Sequence, residues 1–436
     1  MKLTRLSTGD GDFDQALTAV LAWDTEADGG VGPAVSEILA AVRADGDAAL
    51  LELTARFDRL TAASVPELEI TRAEMDAALA AIPAADRRAL EQAGARITAY
   101  HERQLQPSWS FEDELGNTLG SRVTPIQRAG VYVPGGQASY PSSVLMTLLP
   151  ARVAGVEELV VTVPTPDGVR NPMVIAALAI ARPDRAYTIG GAQAVAALAY
   201  GTETIPRVDK VVGPGGAYVA EAKRQVFGHV GIDCIAGPSE ILVIADGTTN
   251  PAWTALDLFS QAEHDADAQA ILVSPDAAFV EAVLAEMQRV LPTLSRREII
   301  EASLAARGAV ILTADLEEAV RVANRIAPEH LELHVADAEA LLPQVRHAGA
   351  IFCGPHAGES FGDYVAGPSH VLPTFGTARF ASPLGVYDFQ KRSSVISLSA
   401  DGAAELADLA VPLAEREGLQ AHARAAAVRA QQPPRE

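Results

Sequence analysis

The chain has 436 residues and a formal net charge of −22, and 49% of its residues are hydrophobic against 21% charged. This length predicts two or more domains with ordinary hydrophobic cores. The acidity argues against general binding to nucleic acid or to anionic lipid, because both carry charge of the same sign.

Two cysteines, Cys234 and Cys353, are too few for a disulfide framework. No apolar run reaches the length of a membrane span, and the first residues lack the apolar core of a signal peptide. We therefore expect a cytoplasmic protein in which both cysteines are small buried core residues.

The first third of the chain is predicted to be helical. Apolar residues recur at helical spacing over 35–42 and 48–57, and Thr71-Arg72-Ala73-Glu74 is a capping-box pattern that opens another helix. Pro83 suits the first turn of a long helix that ends near position 101. Residues 114–120 then predict a turn between two short strands.

From Gly130 onward, short apolar strands alternate with helices. This pattern predicts parallel sheets with helices on both faces. Two such series divide near 235–238, so we predict two doubly wound α/β lobes, followed by an alanine-rich helical end over 401–429. The predicted strands are 131–133, 159–163, 186–189, 210–212, 240–246, 270–273, 309–312, 331–335 and 350–353.

Four glycine-rich turns follow predicted strands, at the carboxyl ends where open α/β sheets bind ligands. Glycine lets backbone amides approach a ligand, and a following helix N-terminus favours an anion. None of the turns has the Gly-x-Gly-x-x-Gly spacing, so the pattern alone specifies no dinucleotide, and tight packing turns explain each one equally well. The turns are 134–136, 190–193, 213–216 and 237–240.

Gln261 and His264 form the most informative pair in the sequence. Residues three apart on a helix lie on one face, so an amide oxygen and an imidazole nitrogen are available to one metal ion. Asp363 and His422 are candidates for the missing ligands. A lone Gln-x-x-His pair is a weak signal, because most such pairs are polar surface or capping groups, and the pattern alone leaves both interpretations open.

Glu329 and His330 are adjacent at a junction between a predicted helix and a predicted strand. They supply two proton carriers, and imidazole is the usual general base near neutral pH. The alternative is a histidine that the helix C-terminus favours electrostatically. His370 lies in a glycine-punctuated loop with an acid. The histidines expected to be surface or satisfied core groups are His101, His229, His334, His347 and His356.

A set of motifs, taken in order, resembles that of the histidinol dehydrogenase family. The match runs from about Arg128 to His422, and more loosely through the first hundred residues. The motifs are Gly-Val-Tyr-Val-Pro-Gly-Gly (130–136), Ala-Gly-Pro-Ser-Glu (236–240), Gln-Ala-Glu-His-Asp (261–265), Pro-Glu-His-Leu-Glu (328–332), Gly-Asp-Tyr (362–364), Ser-His-Val-Leu-Pro-Thr (369–374) and Glu-Gly-Leu-Gln-Ala-His (417–422).

The resemblance implies oxidation of L-histidinol through L-histidinaldehyde to L-histidine, the last step of histidine biosynthesis, with two NAD and one zinc per site. His330 would be the general base, Glu329 would activate water, and zinc would orient the substrate. The implied zinc ligands are Gln261, His264, Asp363 and His422. The same four residues would bind substrate together with Ser239, His330, His370 and Glu417. The implied NAD contacts are Tyr132, Gln193 and Gly216, where the family commonly has Asn in place of Gly216.

The resemblance also implies a homodimer in which the C-terminal segment brings Glu417 and His422 to the partner's site. The fold would be two Rossmann-like lobes with mainly parallel sheets, plus small helical N- and C-terminal segments involved in dimerisation. The implied segments are 1–25 at the N-terminus, 26–129 with 238–381 as the lobe that carries most metal and catalytic residues, 130–237 as the lobe on the NAD side, and 382–436 as the C-terminal dimerisation segment.

Three alternatives remain open at this point. Manganese or cobalt would also suit a site of N and O ligands. The second alternative is that the chain is a relative within the family that oxidises a different amino- or sulfo-alcohol, although His370 and Glu417 favour histidinol. The third is that it is a zinc-dependent binding protein that has lost the chemistry, although Glu329 and His330 favour an enzyme.

Overall fold

The structure is a computed structural model that describes residues 2–22, 30–135 and 140–430. The prediction for Gly136 and the predicted boundary between positions 25 and 26 lie outside the described residues. The chain divides into two units, Met1–Gln104 with Gln127–Phe389, and Leu105–Ile126 with Gln390–Glu436.

The strands of the described residues are β1 (Thr4–Ser7), β2 (Trp109–Glu112), β3 (Thr118–Pro125), β4 (Arg128–Tyr132), β5 (Glu158–Thr162), β6 (Arg185–Tyr187), β7 (Lys210–Val212), β8 (Gly231–Ile232), β9 (Glu240–Ala245), β10 (Gln269–Ser274), β11 (Ala309–Leu312), β12 (His330–His334), β13 (Ala350–Cys353) and β14 (Gln390–Ser397).

The α-helices of the described residues are α1 (Phe13–Leu21), α2 (Val31–Phe57), α3 (Arg72–Ala81), α4 (Ala84–Glu102), α5 (Pro141–Ala154), α6 (Pro172–Ala181), α7 (Gly191–Tyr200), α8 (Ala217–Val226), α9 (Pro251–Ala262), α10 (Ala277–Val290), α11 (Arg297–Arg307), α12 (Leu316–Ile326), α13 (Ala338–Leu341), α14 (Glu359–Tyr364), α15 (Ala400–Arg416) and α16 (Gln420–Ala430).

The first unit contains two sheets in which every strand pair is parallel. The six-stranded sheet has the order β1-β11-β10-β9-β12-β13, and the five-stranded sheet has the order β6-β5-β4-β7-β8. Strand β9 lies between β10 and β12, so the order reverses there, as in doubly wound sheets. The predicted α/β class with mainly parallel sheets and helical ends is confirmed.

Helices α2, α3 and α4 pack against the helices of the five-stranded sheet, namely α7, α6 and α5. A break at Gly46, where φ is +51°, divides α2 into two pieces that match the predicted helices 35–42 and 48–57. The domain boundaries inferred from the resemblance stay predictions.

The second unit has a three-stranded antiparallel sheet with the order β14-β3-β2 and the helix pair α15 and α16. The turn predicted over 114–120 joins β2 to β3 as expected, whereas β14 was not predicted. Among the described helices of the chain, none combines the length and apolarity needed to cross a bilayer.

The prediction that both cysteines are buried is wrong. Cys353 is exposed and Cys234 is only partly buried. Strand β13 is an edge strand of the six-stranded sheet, which leaves alternate residues of its apolar run facing outward.

The predicted capping box at α3 is formed. The backbone N–H of Glu74 donates to Thr71 Oγ1 at 3.3 Å, and the N–H of Thr71 donates to Glu74 Oε2 at 2.7 Å. Replacement of Thr71 by alanine is expected to lower the free energy of unfolding by about 1 kcal/mol, because one helix N-terminal donor loses its acceptor. Urea denaturation of Thr71→Ala beside Thr71→Ser checks this; equal losses in both variants would contradict the capping role.

Candidate active site

A polar face on a buried strand begins at the site and continues beyond it. His330, Glu332 and His334 alternate along β12, so their side chains leave the sheet on one face. Leu331 and Leu333 point to the opposite face and join a hydrophobic core. All five residues are buried, so the polar face must be matched by polar groups on the helices that cover it.

Helix α9 and helix α14 supply those groups. Asp257 and Gln261 are four apart on α9, and His264 follows directly after the helix end. On α14, the backbone N–H of Glu359 donates to Glu332 Oε1 at 2.7 Å, and Asp363 Oδ1 lies 3.6 Å from His330 Nε2. Because α9 ends beside the first residue of β12, the site lies at the amino ends of the strands of the six-stranded sheet.

A group of potential metal ligands forms at this end. One ligand atom each of His264, Glu359 and Asp363 lies within 4.8 Å of the other two. Gln261 is fully buried beside them. With its amide assigned so that the nitrogen faces acceptors, that nitrogen lies 3.1 Å from Glu359 Oε1, 3.1 Å from His330 Nδ1 and 3.2 Å from the carbonyl oxygen of Glu240. The structure thus brings together Gln261, His264 and Asp363.

The protonation states of this group suit a metal. Desolvation lowers the pKa of His264, although part of the residue is exposed, so its ring is neutral near pH 7. Burial raises the pKa of Asp363, but the hydrogen bond and positive charge of His330 outweigh it and hold that pKa below its usual value. Neutral imidazole and ionised carboxylate are the forms that bind metal ions.

Glu329 and His330 are buried next to these potential ligands. His330 Nδ1 lies 2.9 Å from the carbonyl oxygen of Glu240, which assigns the proton to Nδ1 and leaves Nε2 as the basic nitrogen. Glu329 Oε2 accepts the backbone N–H of Glu240 at 2.8 Å and lies 3.6 Å from His330 Nδ1. The two proton carriers are therefore adjacent in space as well as in sequence.

Burial perturbs both groups. Desolvation raises the pKa of the Glu329 carboxyl to about 8, against the opposing charge of His330. Desolvation alone would lower the pKa of His330, but Glu329, Glu359 and Asp363 together raise it well above its usual value. Two neighbouring groups whose pKa values are both raised by their surroundings suit acid and base catalysis.

His370 links this site to the layer of the five-stranded sheet. Its Nδ1 lies 3.0 Å from the carbonyl oxygen of Asp363, and its Nε2 lies 3.0 Å from Ser143 Oγ on α5. Ser239 is half-buried directly before β9, next to the Glu240 carbonyl that holds His330. Both predicted substrate residues thus lie near Glu329 and His330, the predicted catalytic pair.

Tyr132, Gln193 and Gly216 lie at the carboxyl end of the five-stranded sheet. Tyr132 ends β4, and its hydroxyl accepts the backbone N–H of Gly191 at 3.2 Å. Gln193 is buried in α7, and its Nε2 has no hydrogen-bond partner among the described residues. Gly216 is the N-cap residue of α8, and a Cβ there would meet nothing within 4 Å. An unpaired buried donor in α7 and an open N-terminus of α8 are both features that suit a phosphate-bearing cofactor.

Gly213, in the turn after β7, has a physical requirement for glycine. Its φ is +113°, and a Cβ would lie 2.1 Å from the carbonyl oxygen of Tyr132. Any other side chain would displace the end of β4 and with it the Tyr132 hydroxyl.

Glu417 and His422 belong to the second unit. Glu417 is the C-cap residue of α15 and His422 lies on α16, and both are exposed. Their assignment to a partner's site stays a prediction.

Two groups of this region were missed by sequence reasoning. Glu359 lies among the predicted ligands although it was not predicted as one. His334 is not a satisfied core group as expected, because its Nε2 has no hydrogen-bond partner among the described residues. The alternation His-Leu-Glu-Leu-His over 330–334 was the available signal, since period two on a strand places all three polar residues on one face.

The chain is similar in sequence and in structure to proteins described as histidinol dehydrogenases. The family model described as histidinol dehydrogenase matches residues 23–430. The histidinol dehydrogenases of Pseudomonas fluorescens Pf-5 and Pseudomonas aeruginosa PAO1 are each 60% identical over 427 residues, which is 98% of this chain and 97% of each relative. The crystal structure of histidinol dehydrogenase from Elizabethkingia anophelis matches with a TM-score of 0.92 at 31% identity, over 98% of both chains.

Proposed function

The chain belongs to the histidinol dehydrogenase family, and from this premise we propose that it oxidises L-histidinol through L-histidinaldehyde to L-histidine, with two NAD and one zinc per site. This is the last step of histidine biosynthesis. The observation that supports the proposal most directly is the meeting of Gln261, His264 and Asp363 beside the paired proton carriers Glu329 and His330.

The metal would be held by Gln261, His264 and Asp363, with His422 of the partner subunit as the fourth ligand in a homodimer. When bound, zinc supplies a Lewis acid that orients the imidazole and amino nitrogens of the substrate, and NAD supplies the hydride acceptor. The neutral ring of His264 and the ionised carboxylate of Asp363 support this ligand assignment. Manganese and cobalt accept the same ligands.

The proton steps fall to Glu329 and His330. His330 Nε2, held by the Nδ1 contact with the Glu240 carbonyl, would take the proton of the alcohol in the first oxidation. Glu329 would then take a proton from the water that attacks the aldehyde, and His330 would act as base again in the second oxidation. Ser239, His370 and Glu417 would position the substrate, and Tyr132, Gln193 and Gly216 would contact NAD.

A count of products tests the proposal. Purified protein supplied with L-histidinol and excess NAD is expected to form two NADH for each histidinol consumed, with one zinc retained at the site of Gln261, His264 and Asp363. Other primary amino- and sulfo-alcohols serve as competing substrates in the same assay. Faster turnover of one of them, or one NADH for each histidinol, would refute the assignment.

The raised pKa of Glu329 predicts how the rate of the aldehyde step depends on pH. A carboxyl whose pKa is raised to about 8 is protonated at pH 6 and ionised at pH 9, and only the ionised form accepts a proton from water. We therefore expect the rate of the aldehyde step to rise with pH through about 8, and Glu329→Gln to lose the part of this rise that is centred near pH 8. Single-turnover oxidation of L-histidinaldehyde between pH 6 and 9 measures it; a flat profile for the wild type would contradict the role of Glu329.

A further inference from the structure

A second group of potential ligands lies further along the polar face of β12. Asp257 on α9, with Glu332 and His334 on β12, each offer one ligand atom, and these atoms lie within 4.8 Å of one another. The side chains of Glu332 and His334 are buried, whereas that of Asp257 is 20% exposed. None of the three has a part in the proposed oxidation.

Two atoms of this group face each other without a hydrogen bond. Glu332 Oε2 and His334 Nε2 lie 3.4 Å apart, and neither has a hydrogen-bond partner among the described residues. Buried polar atoms left in this way cost free energy, so native proteins almost always provide a partner for them. Asp257 Oδ2 lies 3.9 Å from the same imidazole nitrogen, which directs a third ligand atom towards the space that they share.

We propose that Asp257, Glu332 and His334 form a second divalent-cation site, which takes zinc or a metal of similar ligand preference and is separate from the site at Gln261, His264 and Asp363. One imidazole and two carboxylates form a ligand set that zinc, cobalt and manganese accept. Ligands bonded at about 2.0–2.2 Å to a tetrahedral ion lie about 3.3–3.6 Å from one another. The separations of 3.4 and 3.9 Å are close to that spacing.

The surroundings orient these ligands as metal sites require. Thr254 Oγ1 lies 3.3 Å from His334 Nδ1 and can accept a proton carried there, and that tautomer leaves Nε2 free to bind a metal. Glu332 Oε1 accepts the backbone N–H of Glu359, which leaves Oε2 as the ligand atom. The partly exposed Asp257 provides the route of entry and the side on which water completes the coordination.

The charge states agree with this arrangement. Burial lowers the pKa of His334 to about 4, so the ring is neutral and able to bind a metal. Burial raises the pKa of Asp257 to about 6 and the pKa of Glu332 well above its usual value, because neither carboxylate has a full counter-charge there. A divalent ion would supply that charge; the competing occupants are protons shared among the three side chains.

Such an ion would tie α9 to β12 and would act on the catalytic site only through backbone. Glu332 Oε1 holds the N–H of Glu359, one turn before Asp363 on α14. The second site is thus expected to stabilise the fold while turnover depends on the first site. Loss of the second ion should therefore lower the melting temperature and leave the catalytic rate nearly unchanged.

Metal counting with matched variants tests the proposal. Wild-type protein equilibrated with zinc and freed of excess by gel filtration is expected to hold two zinc for each chain. Asp257→Asn and His334→Leu should each hold one and should retain dehydrogenase turnover. Asp363→Asn should lose the other ion together with turnover, which tests the proposed oxidation site independently. Asp257 is partly exposed, so Asp257→Asn serves even where His334→Leu fails to fold.

Cobalt substitution gives a second readout. The visible absorption of wild-type protein loaded with cobalt should contain two components, and Asp257→Asn should remove one of them. One zinc for each wild-type chain, with a zinc content and cobalt spectrum that Asp257→Asn leaves unchanged, would overturn the second site and assign the cluster to shared protons.

Discussion

Replacement of His330 by asparagine is expected to lower turnover of L-histidinol by about 10²–10⁴-fold, the range typical for loss of a general base. Asparagine can still donate a hydrogen bond to the Glu240 carbonyl, which His330 Nδ1 contacts at 2.9 Å. It has no basic nitrogen to place where Nε2 faces Asp363 at 3.6 Å. The asparagine side chain should therefore occupy the place of the imidazole ring without supplying a proton acceptor.

Zinc content measured beside turnover distinguishes a lost base from a damaged site. His330 is not among the proposed ligands, so His330→Asn should retain zinc near the wild-type amount. His347→Asn is the matched control, because that histidine is only half-buried and lies outside the site. Unchanged turnover in His330→Asn would remove this residue from the mechanism, and loss of zinc would make it a structural element of the metal site.

The parallel strands could be predicted closely because their signal is local. Strands β7 and β11 begin and end at the predicted residues, since each is a short apolar run bounded by turn residues. Strands β1 and β14 were not predicted. Most residues of β14 are polar and exposed, and the strand forms by pairing with β3 from a distant part of the sequence, which no local pattern records.

The site shows the same division between local and long-range information. The spacing of Gln261 and His264 on a helix end was visible in the sequence, and the structure brings Asp363 to them. The predicted NAD residues lie at the carboxyl ends of the strands of the five-stranded sheet, where the sequence pattern predicts ligand sites. The predicted metal and catalytic residues lie instead at the amino ends of the six-stranded sheet, because α9 returns along the sheet and its Gln261 lies beside His330, the first residue of β12. The place where a helix ends relative to a neighbouring strand is set by packing and not by sequence pattern.

Replacement of Lys223 by methionine is expected to lower the free energy of unfolding by about 3–5 kcal/mol, the range for breaking a buried ion pair. The side chains of Lys223 and Asp233 are 1% and 4% exposed, and Lys223 Nζ contacts Asp233 Oδ1. Lys223 Nζ also donates to the carbonyl oxygen of Gly213 at 2.9 Å, and Asp233 Oδ2 accepts the N–H of Gly213 at 2.7 Å. The pair therefore fixes the turn after β7, and methionine would leave the Asp233 carboxylate buried without a cation.

The neighbouring residue on α8 offers the control for this prediction. Arg224 pairs with Glu221 at 2.6 Å, but the arginine side chain is 65% exposed, so Arg224→Met should cost less than about 1 kcal/mol. The double variant Lys223→Met with Asp233→Leu should recover much of the loss, because it removes the unpaired charge along with its partner. Urea denaturation of the four proteins measures these differences. Equal losses in Lys223→Met and Arg224→Met would contradict the role of burial, since the two pairs differ chiefly in their contact with water.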